Sequence, residues 1–561
     1  MIAGSRLRCR HWLFLLLLLV CTAVLYAPVR AFDFIAIDDP ELVQNNPLIR
    51  ECSPTLFAQP VGGLYNPVTI CSYALNYRRT GLQPGPFHCT NIALHLIAVV
   101  LVFFLARRLH DAPGVALLAA ALFALHPLQV ETVAWISARK ELLCGVFSLG
   151  AVLAHSAARR HGTWWRHAIT VSCYLLALGS LPIAAMLPLL FVVLDWYLGV
   201  NPFTRRRLVV TALLLLAALP VLAANLIVAL PSAEDVARPA GLASAIMISA
   251  FTVLRSFVTA ALPLALAVRY HYPPPALPAT AAATFAILAL VLLALHLRRR
   301  SRLPLFALLW WMLLLLPTLP VVALGSDRAA RAPHDRYLYL PLAAAAVATA
   351  AALHALGQRR HRPRLHLAAL LLGILLPAAA AALSARQLAG WRNTITLLTH
   401  EHRLFPAAAQ PLIDRSICYR DSSNFAPALR DITAAIALAP QQATPYLVRG
   451  QLHELAGNPA AAAADFRTGL ALPGADDNNL LHLATMLGQT GDTVAARQAV
   501  SAYIDRHPRE AYGYYLRAQL AYQYGDRSAA LADCTLALQL APAHEPARRL
   551  AQACRSVPAR R

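Results

Sequence analysis

Lysine is almost missing from this chain: Lys140 is the only one in 561 residues, although Lys and Arg together number 49. Acidic residues are also scarce, 27 in all, and charged side chains make up 14% of the sequence against 58% hydrophobic. So little charge, with a mean hydropathy of +0.53, excludes an ordinary soluble protein and points to a polytopic membrane protein. The apolar runs hold few acidic residues suited to ion coupling, which argues against a transporter of lipid or polysaccharide. The ten cysteines form no Cys-x-x-Cys and no zinc-like Cys/His spacing, which leaves no zinc or dithiol motif to read. No convincing small-x-small cleavage site precedes Phe32, so the basic N-terminus and the apolar run after it read as a signal anchor and not a removed leader.

Runs apolar enough to span occur near 12–27, 87–105, 113–125, 142–155, 168–180, 183–198, 208–230, 279–297, 303–324, 337–356 and 365–383, about eleven spans. Arginines cluster at alternate junctions: Arg6, Arg8 and Arg10; Arg107 and Arg108; Arg159 and Arg160; 205–207; 298–300; 359–364. That bias makes these ends cytoplasmic, and leaves outside the loop with Asp38 and Asp39, the segments 134–141, 231–241, 270–275 and 325–336, and everything after Arg386. The run 242–268 breaks the parity, because a full crossing there would put the arginines of 298–302 on the wrong side. It reads as re-entrant or interfacial, with an ordinary span as the alternative. The net charge of +22 fits contact with anionic lipid head groups, not nucleic acid. Cys52 and Cys71 share the first outer loop and could pair in an oxidising compartment, whereas Cys21, Cys144 and Cys173 read as buried apolar residues.

Adjacent carboxylates, Asp38 and Asp39, stand in Asp-Phe-Ile-Ala-Ile-Asp-Asp-Pro-Glu-Leu-Val (33–43), where the chain should leave the membrane. Ionisable groups beside apolar segments are expensive and often mark working sites, so this pair is a candidate catalytic base at a membrane surface. The competing reading is that Pro40 takes a first helical position and Asp39 caps the short helix that follows.

Beyond the last span, Gly457-Asn458, Gly491-Asp492 and Gly525-Asp526 recur every 34 residues, and Pro508 and Pro542 keep the same period with Pro440 two periods earlier. This resembles the tetratricopeptide repeat, a helical hairpin of about 34 residues. Gly450, Ala484 and Ala518 take the small position of the first helix, and Ala462, Ala496 and Ala530 that of the second. The units are 443–476, 477–510 and 511–544, preceded by a degenerate unit from about Gln410 and followed by a cap helix from Glu545. Such arrays usually bind peptide or protein. Tyr446, Tyr512, Tyr514 and Tyr515 read as packing residues at helix starts or as partner contacts.

The membrane part carries Asp38-Asp39-Pro40, Asn45-Asn46-Pro47, Tyr65-Asn66-Pro67-Val68-Thr69, Gly81-Leu82 and Phe87-His88-Cys89-Thr90-Asn91 running on to His95. Further on come Ala124-Leu125-His126-Pro127 with Glu131, Trp135-Ile136-Ser137-Ala138-Arg139-Lys140-Glu141, Leu194-Asp195-Trp196-Tyr197 and Asp335-Arg336-Tyr337-Leu338-Tyr339-Leu340-Pro341. In that order, ahead of the repeats, they resemble the transmembrane and tetratricopeptide-repeat proteins of the C-type (GT-C) glycosyltransferases. The resemblance covers nearly the whole chain. It implies an all-α protein with a GT-C-like membrane domain (1–386, its outer catalytic loop at 30–86), a connector (387–409) and a tetratricopeptide-repeat solenoid (410–561). One departure stands out: where the family usually has Arg in Tyr-Arg-Pro, this chain has Asn66.

The implied activity is transfer of a sugar, by resemblance mannose, from a polyprenyl phosphate to a protein hydroxyl on the outer face, with the repeats binding the acceptor. Such transfer needs a base for the acceptor proton and cations for the departing phosphate. Asp38 or Asp39 supplies the base, and direct displacement would invert the anomeric centre, as GT-C enzymes generally do. Arg139 and Lys140 lead as phosphate cations, the alternative being a solvated turn in which Arg139, Lys140 and Glu141 pair locally. His126 and Glu131 share that loop as substrate-binding candidates, although a His-Pro also simply ends a helix. Arg336, with Arg328, Arg331 and His334, offers a second cationic cluster for a phosphate or for anionic lipid. Asp195 belongs near the cytoplasmic end of its span, paired close to 205–207. A divalent cation, magnesium or manganese, bridging an aspartate and the phosphate is left unassigned, since one acidic pair does not make a metal site. The arginine- and alanine-rich composition points to a bacterial inner membrane with periplasmic repeats; a eukaryotic relative would place them in the endoplasmic reticulum lumen. The rival reading is a non-enzymatic membrane scaffold that assembles partners through its repeats.

Overall fold

The computed structural model describes residues 2–51, 53–161, 163–229, 242–272, 275–319, 334–359 and 362–556. These are helical or irregular, and their only β feature is an isolated bridge between Val61 and Leu64. The chain divides into two compact units, Met1–Leu404 and Phe405–Arg561.

Among the described residues of the first unit, seven helices are long and apolar enough to cross a membrane: His11–Ala31, Pro84–Leu109, Ile136–Arg159, Arg205–Val228, Leu277–Leu297, Asp335–Gly357 and Pro363–Trp391. Leu213, Leu226, Leu292 and Leu371 stand bare on three of them. A surface of bare leucine is at ease in hydrocarbon and not in water, so the unit is a membrane domain. Other expected spans form shorter helices, Pro113–Ala124, Trp164–Leu178 and Leu303–Leu315, of 12, 15 and 13 residues. At about 1.5 Å per residue they cover roughly 18–23 Å, less than the hydrocarbon thickness of about 30 Å. Irregular backbone continues two of them, and it is covered by protein: Leu128 and Ser180 are buried. The run 242–268 is a helix, Leu242–Ala261, followed by irregular backbone in which Leu266, Ala267 and Val268 are buried. The Leu266 carbonyl accepts from Gln387 and His400, and the Val268 carbonyl from His334.

The first loop folds into a small lobe of its own. Single turns at Ala27–Ala31, Pro40–Gln44, Pro47–Glu51 and Pro54–Phe57, each opened by or carrying a proline near its start, lead to the helix Pro67–Thr80. Leu42, Val43, Ile49, Leu56, Ile70 and Tyr73 bury one another against Phe87 and Ile136. The loop backbone is also pinned from the far end of the unit: Asp33 N–H donates to the Arg392 carbonyl, and Ala36 N–H to Thr394 Oγ1 at 2.8 Å. These ties fix the approach to Asp38 and Asp39.

The second unit is a row of helical hairpins from Gln410–Asp421 to Arg527–Leu540, closed by Glu545–Arg555. Ala462, Ala484, Ala496, Ala518 and Ala530 are fully buried where paired helices touch. Gly457, Gly491 and Gly525 turn the chain at positive φ, and Asp492 and Asp526 then cap the next helix through Ala495 and Ala529 N–H. The unit at Gln410 is complete, with helices Gln410–Asp421 and Phe425–Leu438. It looks degenerate in sequence because Ser423 takes the glycine's place, at φ 58°. A ladder of forked ion pairs joins the hairpin helices: Arg415 to Asp431, Arg449 to Asp465 and Arg517 to Asp533. At the same two positions the 477–510 unit has the buried pair Leu483 and Ala499.

Candidate active site

The two aspartates face opposite ways. Asp39 is fully buried, and its Oδ2 accepts the Ile35 N–H at 2.7 Å while its Oδ1 accepts the Ser137 N–H at 3.0 Å and the Ser137 hydroxyl. Its side chain makes no cap to the turn Pro40–Gln44, so the capping alternative does not hold. Burial pushes the Asp39 carboxyl up to about 6, against the hydrogen bonds from Ser137 and Ile35 that pull it down. It is a fastener between the first loop and the turn Ile136–Ala138. Asp38, by contrast, keeps 35% of its side chain exposed, and its carboxylate faces the Lys140 ammonium at 3.9 Å.

Lys140 is buried along its stem, and among the described residues its ammonium makes no contact with an acceptor closer than that 3.9 Å. That is beyond hydrogen-bond range, so its donors are uncommitted. Arg139, one residue earlier, is the opposite case. Its Nε donates to Asn91 Oδ1 at 2.8 Å, one terminal nitrogen to Asn76 Oδ1 at 2.6 Å and the Ser72 carbonyl, and the other to the Phe87 carbonyl at 2.8 Å. Its cation also lies over the rings of Tyr73 and Phe87. The expectation that Arg139 binds a donor phosphate is therefore corrected: with every nitrogen committed and no exposure, it is the hub that holds three helices together.

Arg336 is buried and paired through charge, with its Nε left without a hydrogen bond among the described residues. It donates to Glu131 Oε1 at 2.7 Å, lies 3.4 Å from Glu141 Oε1, and covers the Trp135 ring. Two buried carboxylates balance this one cation, so Arg336 and Glu131, expected as substrate contacts, are instead an internal ion pair with Glu141 as third member. Burial pushes the Glu131 carboxyl up and Arg336 pulls it down. His126 is not a ligand either. Its Nε2 lies 3.0 Å from the Ala260 carbonyl and its Nδ1 accepts the Leu128 N–H, while burial lowers it to about 4 and keeps it neutral. It closes a helix end, as the plainer reading of His-Pro had it. His334 is also held, 2.7 Å from the Val268 carbonyl, and lowered to about 3 by burial.

Arg328, Arg331, Cys52 and the loop 231–241 lie outside the described residues. Asp195 is paired far from this site, with His155 at 3.0 Å, Arg159 at 2.9 Å and Arg207 at 3.9 Å. Asn66 is buried, and among the described residues neither of its amide atoms has a partner. No group of three or more His, Cys, Asp or Glu that could hold a metal ion converges among the described residues. Ser137, inside the segment 135–141, gave no sign in the sequence of its bond to Asp39, and Glu141, expected to pair locally with Arg139 and Lys140, lies beside Arg336. The structure thus brings the partly exposed Asp38 carboxylate to the buried Lys140 ammonium and backs them with a buried polar core in which, among the described residues, Arg336 Nε, Glu131 Oε2 and both Glu141 carboxylate oxygens have no hydrogen-bond partner.

No protein-family model matches the chain. Among curated proteins it is similar to the protein O-mannosyl-transferase F38B6.6 of Caenorhabditis elegans, 33% identical over 156 residues, which covers 25% of this chain and 22% of that protein. It is similar also to the human protein O-mannosyl-transferase TMTC4, 34% identical over 154 residues (23% and 21%), and to Tmtc1 of Drosophila melanogaster, 35% over 116 residues (21% and 14%). The matches thus span 14–22% of those relatives' length. Among solved structures, MamA aligns with 26% of this chain and 86% of its own at a TM-score of 0.25 and 18% identity. The tetratricopeptide-repeat protein YrrB aligns with 28% and 82%, at a TM-score of 0.27 and 16% identity.

Proposed function

We propose that this membrane protein is a glycosyltransferase that moves a sugar, mannose by analogy with its relatives' names, from a polyprenyl phosphate to a protein hydroxyl on the extracytoplasmic face. The observation that carries this reading is the accessible Asp38 carboxylate beside the chain's single ammonium, whose donors the protein leaves uncommitted. The similarity to named O-mannosyl-transferases supports the reaction class.

The step follows from the pair. Asp38 takes the proton of the acceptor hydroxyl as its oxygen attacks the anomeric carbon from the face opposite the phosphate. The bond from that carbon to the phosphate oxygen breaks, inverting the centre, and the polyprenyl phosphate leaves with the electron pair. Lys140 meets the charge that gathers on the leaving phosphate. A positioned base contributes about 10²–10⁴-fold, and a charge aimed at the developing anion roughly another 10²–10³-fold. Asp39, through Ile35 and Ser137, holds Asp38 at the edge. The repeats present the acceptor; the arginine bias supports an extracytoplasmic side for this face, and the arginine- and alanine-rich composition supports a bacterial inner membrane, with the face periplasmic.

The test is transfer from labelled polyprenyl-phosphate mannose to an envelope-protein pool by the purified chain. Asp38→Asn should remove at least about 10² of the rate while insertion and folding persist. Absence of transfer from mannose or any other polyprenyl-linked sugar, with partners still captured by the repeats, would replace the enzyme with a scaffold.

A further inference from the structure

The helix Leu242–Ala261 is apolar, yet it carries Arg255 between Leu254 and Ser256. A guanidinium in such a helix is costly unless something meets its charge. Among the described residues no hydrogen bond or close ion pair does: the direct contacts of Arg255 are aromatic, and the Asp335 carboxylate acts on it only through charge at longer range. Its cation lies 3.7 Å from the centre of the Tyr272 ring and 4.6 Å from that of Tyr270. The two rings stack on each other at 5.7 Å, and the Tyr270 hydroxyl donates to Asp335 Oδ1 at 2.7 Å. Rings attract and orient a guanidinium, but they take none of its five N–H donors. The result is a planar cation held in place with its donor fork free, the geometry that matches a phosphate.

The other cations nearby are already used. Arg139 is saturated by backbone and amide oxygens, Arg336 is charge-paired with Glu131 and Glu141, and Arg269 pairs with Glu401. Contacts and chain neighbours together link Arg255 to the proposed site. Tyr270 holds Asp335, the next residue Arg336 reaches Glu141, and Glu141 follows Lys140, which faces Asp38. At the end of the same helix the Ala260 carbonyl meets His126. Exposed Val258, one helical turn on from Arg255, with exposed Leu262 and Leu264 past the helix end, offers hydrocarbon to an isoprenoid tail.

We infer that Arg255, braced by Tyr270 and Tyr272, binds the phosphate of the polyprenyl-phosphate donor and so supplies the anion-binding arm of the site; this rests on the transferase reading. A phospholipid head group offers the same phosphate chemistry, so the test must separate the two sources. The full chain, in nanodiscs of phosphatidylcholine, is titrated with a short polyprenyl phosphate, with the matching polyprenol, and with phosphatidylglycerol. For Arg255→Gln, affinity for polyprenyl phosphate should fall about tenfold or more, with polyprenol unchanged and the donor KM raised more than kcat falls. Arg255→Lys, which keeps the charge and loses the fork, should recover part of the affinity and carries the test if the Gln variant folds poorly. Equal affinities in wild type and both variants would overturn the inference, as would an Arg255-dependent loss confined to phosphatidylglycerol. Wild-type transfer with a donor KM unmoved by Arg255→Gln sinks this inference alone. Arg255-dependent binding of polyprenyl phosphate without any sugar transfer keeps the lipid-phosphate site and sinks the transferase.

Discussion

Asp39→Ala tests the division of labour between the two aspartates. Removing the carboxylate strands the Ile35 and Ser137 N–H groups inside the protein, while the Ser137 hydroxyl can turn to another acceptor. At about 2 kcal/mol for each fixed, unpaired donor the loss is about 4 kcal/mol. Against this stands the relief of a buried charge: burial lifts the carboxyl from 3.8 to about 6, and at about 1.4 kcal/mol per pKa unit an ionised Asp39 costs the fold about 3 kcal/mol at pH 7 and about 1.5 kcal/mol at pH 5. A carboxyl raised in the folded state stabilises fully below its unfolded value near 3.8, and that contribution fades as pH rises through about 6. The variant should therefore be less stable than wild type by about 1 kcal/mol at pH 7 and about 2.5 kcal/mol at pH 5. Unfolding in SDS–detergent mixtures, followed by fluorescence of the buried Trp135 and Trp391 pair, measures both values. Asp38→Ala, with 35% exposure and one contact at 3.9 Å, should stay within about 0.5 kcal/mol of wild type at either pH. A difference for Asp39→Ala that is flat or shrinks toward pH 5 would refute the reasoning, because the carboxyl would then not be penalised by burial.

Arg139→Lys should behave as a folding lesion. It strands Asn91, Asn76 and the Phe87 carbonyl, so a loss of more than about 3 kcal/mol is expected, read as poor accumulation of monodisperse protein and not as a selective rise in donor KM. Ser423→Gly relieves a left-handed serine at φ 58°, and should raise the unfolding free energy of the repeat unit by about 0.5–1 kcal/mol in urea titration. Asp465→Ala leaves Arg449 without its fork and should cost about 1–2 kcal/mol, whereas Arg449→Leu with Asp465→Ala copies the Leu483 and Ala499 pair and should recover most of it, measured the same way.

The parts of the fold legible in the sequence were those that repeat or stay local. The 34-residue period is visible in Gly457, Gly491 and Gly525, and the buried alanines of the hairpins follow from it. Arg415, Arg449 and Arg517 with Asp431, Asp465 and Asp533 keep the same period, so the ion-pair ladder could have been found by the same arithmetic. The site was legible only as a list of residues. Ser137 reaches Asp39 across 98 positions and Arg336 reaches Glu131 across 205, and separation along a chain carries no distance. Arg139 and Lys140 are neighbours in sequence but about 100° apart around a helix, enough to send one guanidinium into the core and one ammonium toward Asp38.

That turn of a helix also explains why counting cations near an acidic pair gave the wrong candidates. A cation serves a ligand only to the extent that the protein leaves its donors open, and sequence records the charge, not the commitment. Arg139 and Arg336 lie where a phosphate-binding residue was expected, yet the donors of the first are taken by oxygens of the helices Pro67–Thr80 and Pro84–Leu109, and the charge of the second is balanced by two carboxylates. Breaking either arrangement to reach a phosphate would leave buried acceptors or a buried charge unpaired, at roughly 3–5 kcal/mol for the charge, more than a single charge-assisted bond of about 1.5–3 kcal/mol returns. Lys140 and Arg255 carry no such penalty, since one faces its carboxylate from beyond hydrogen-bond range and the other rests on rings. The stability of the site and its capacity to bind an anion therefore belong to different residues, which is why substitutions at the first pair should be read in unfolding and at the second pair in binding and turnover.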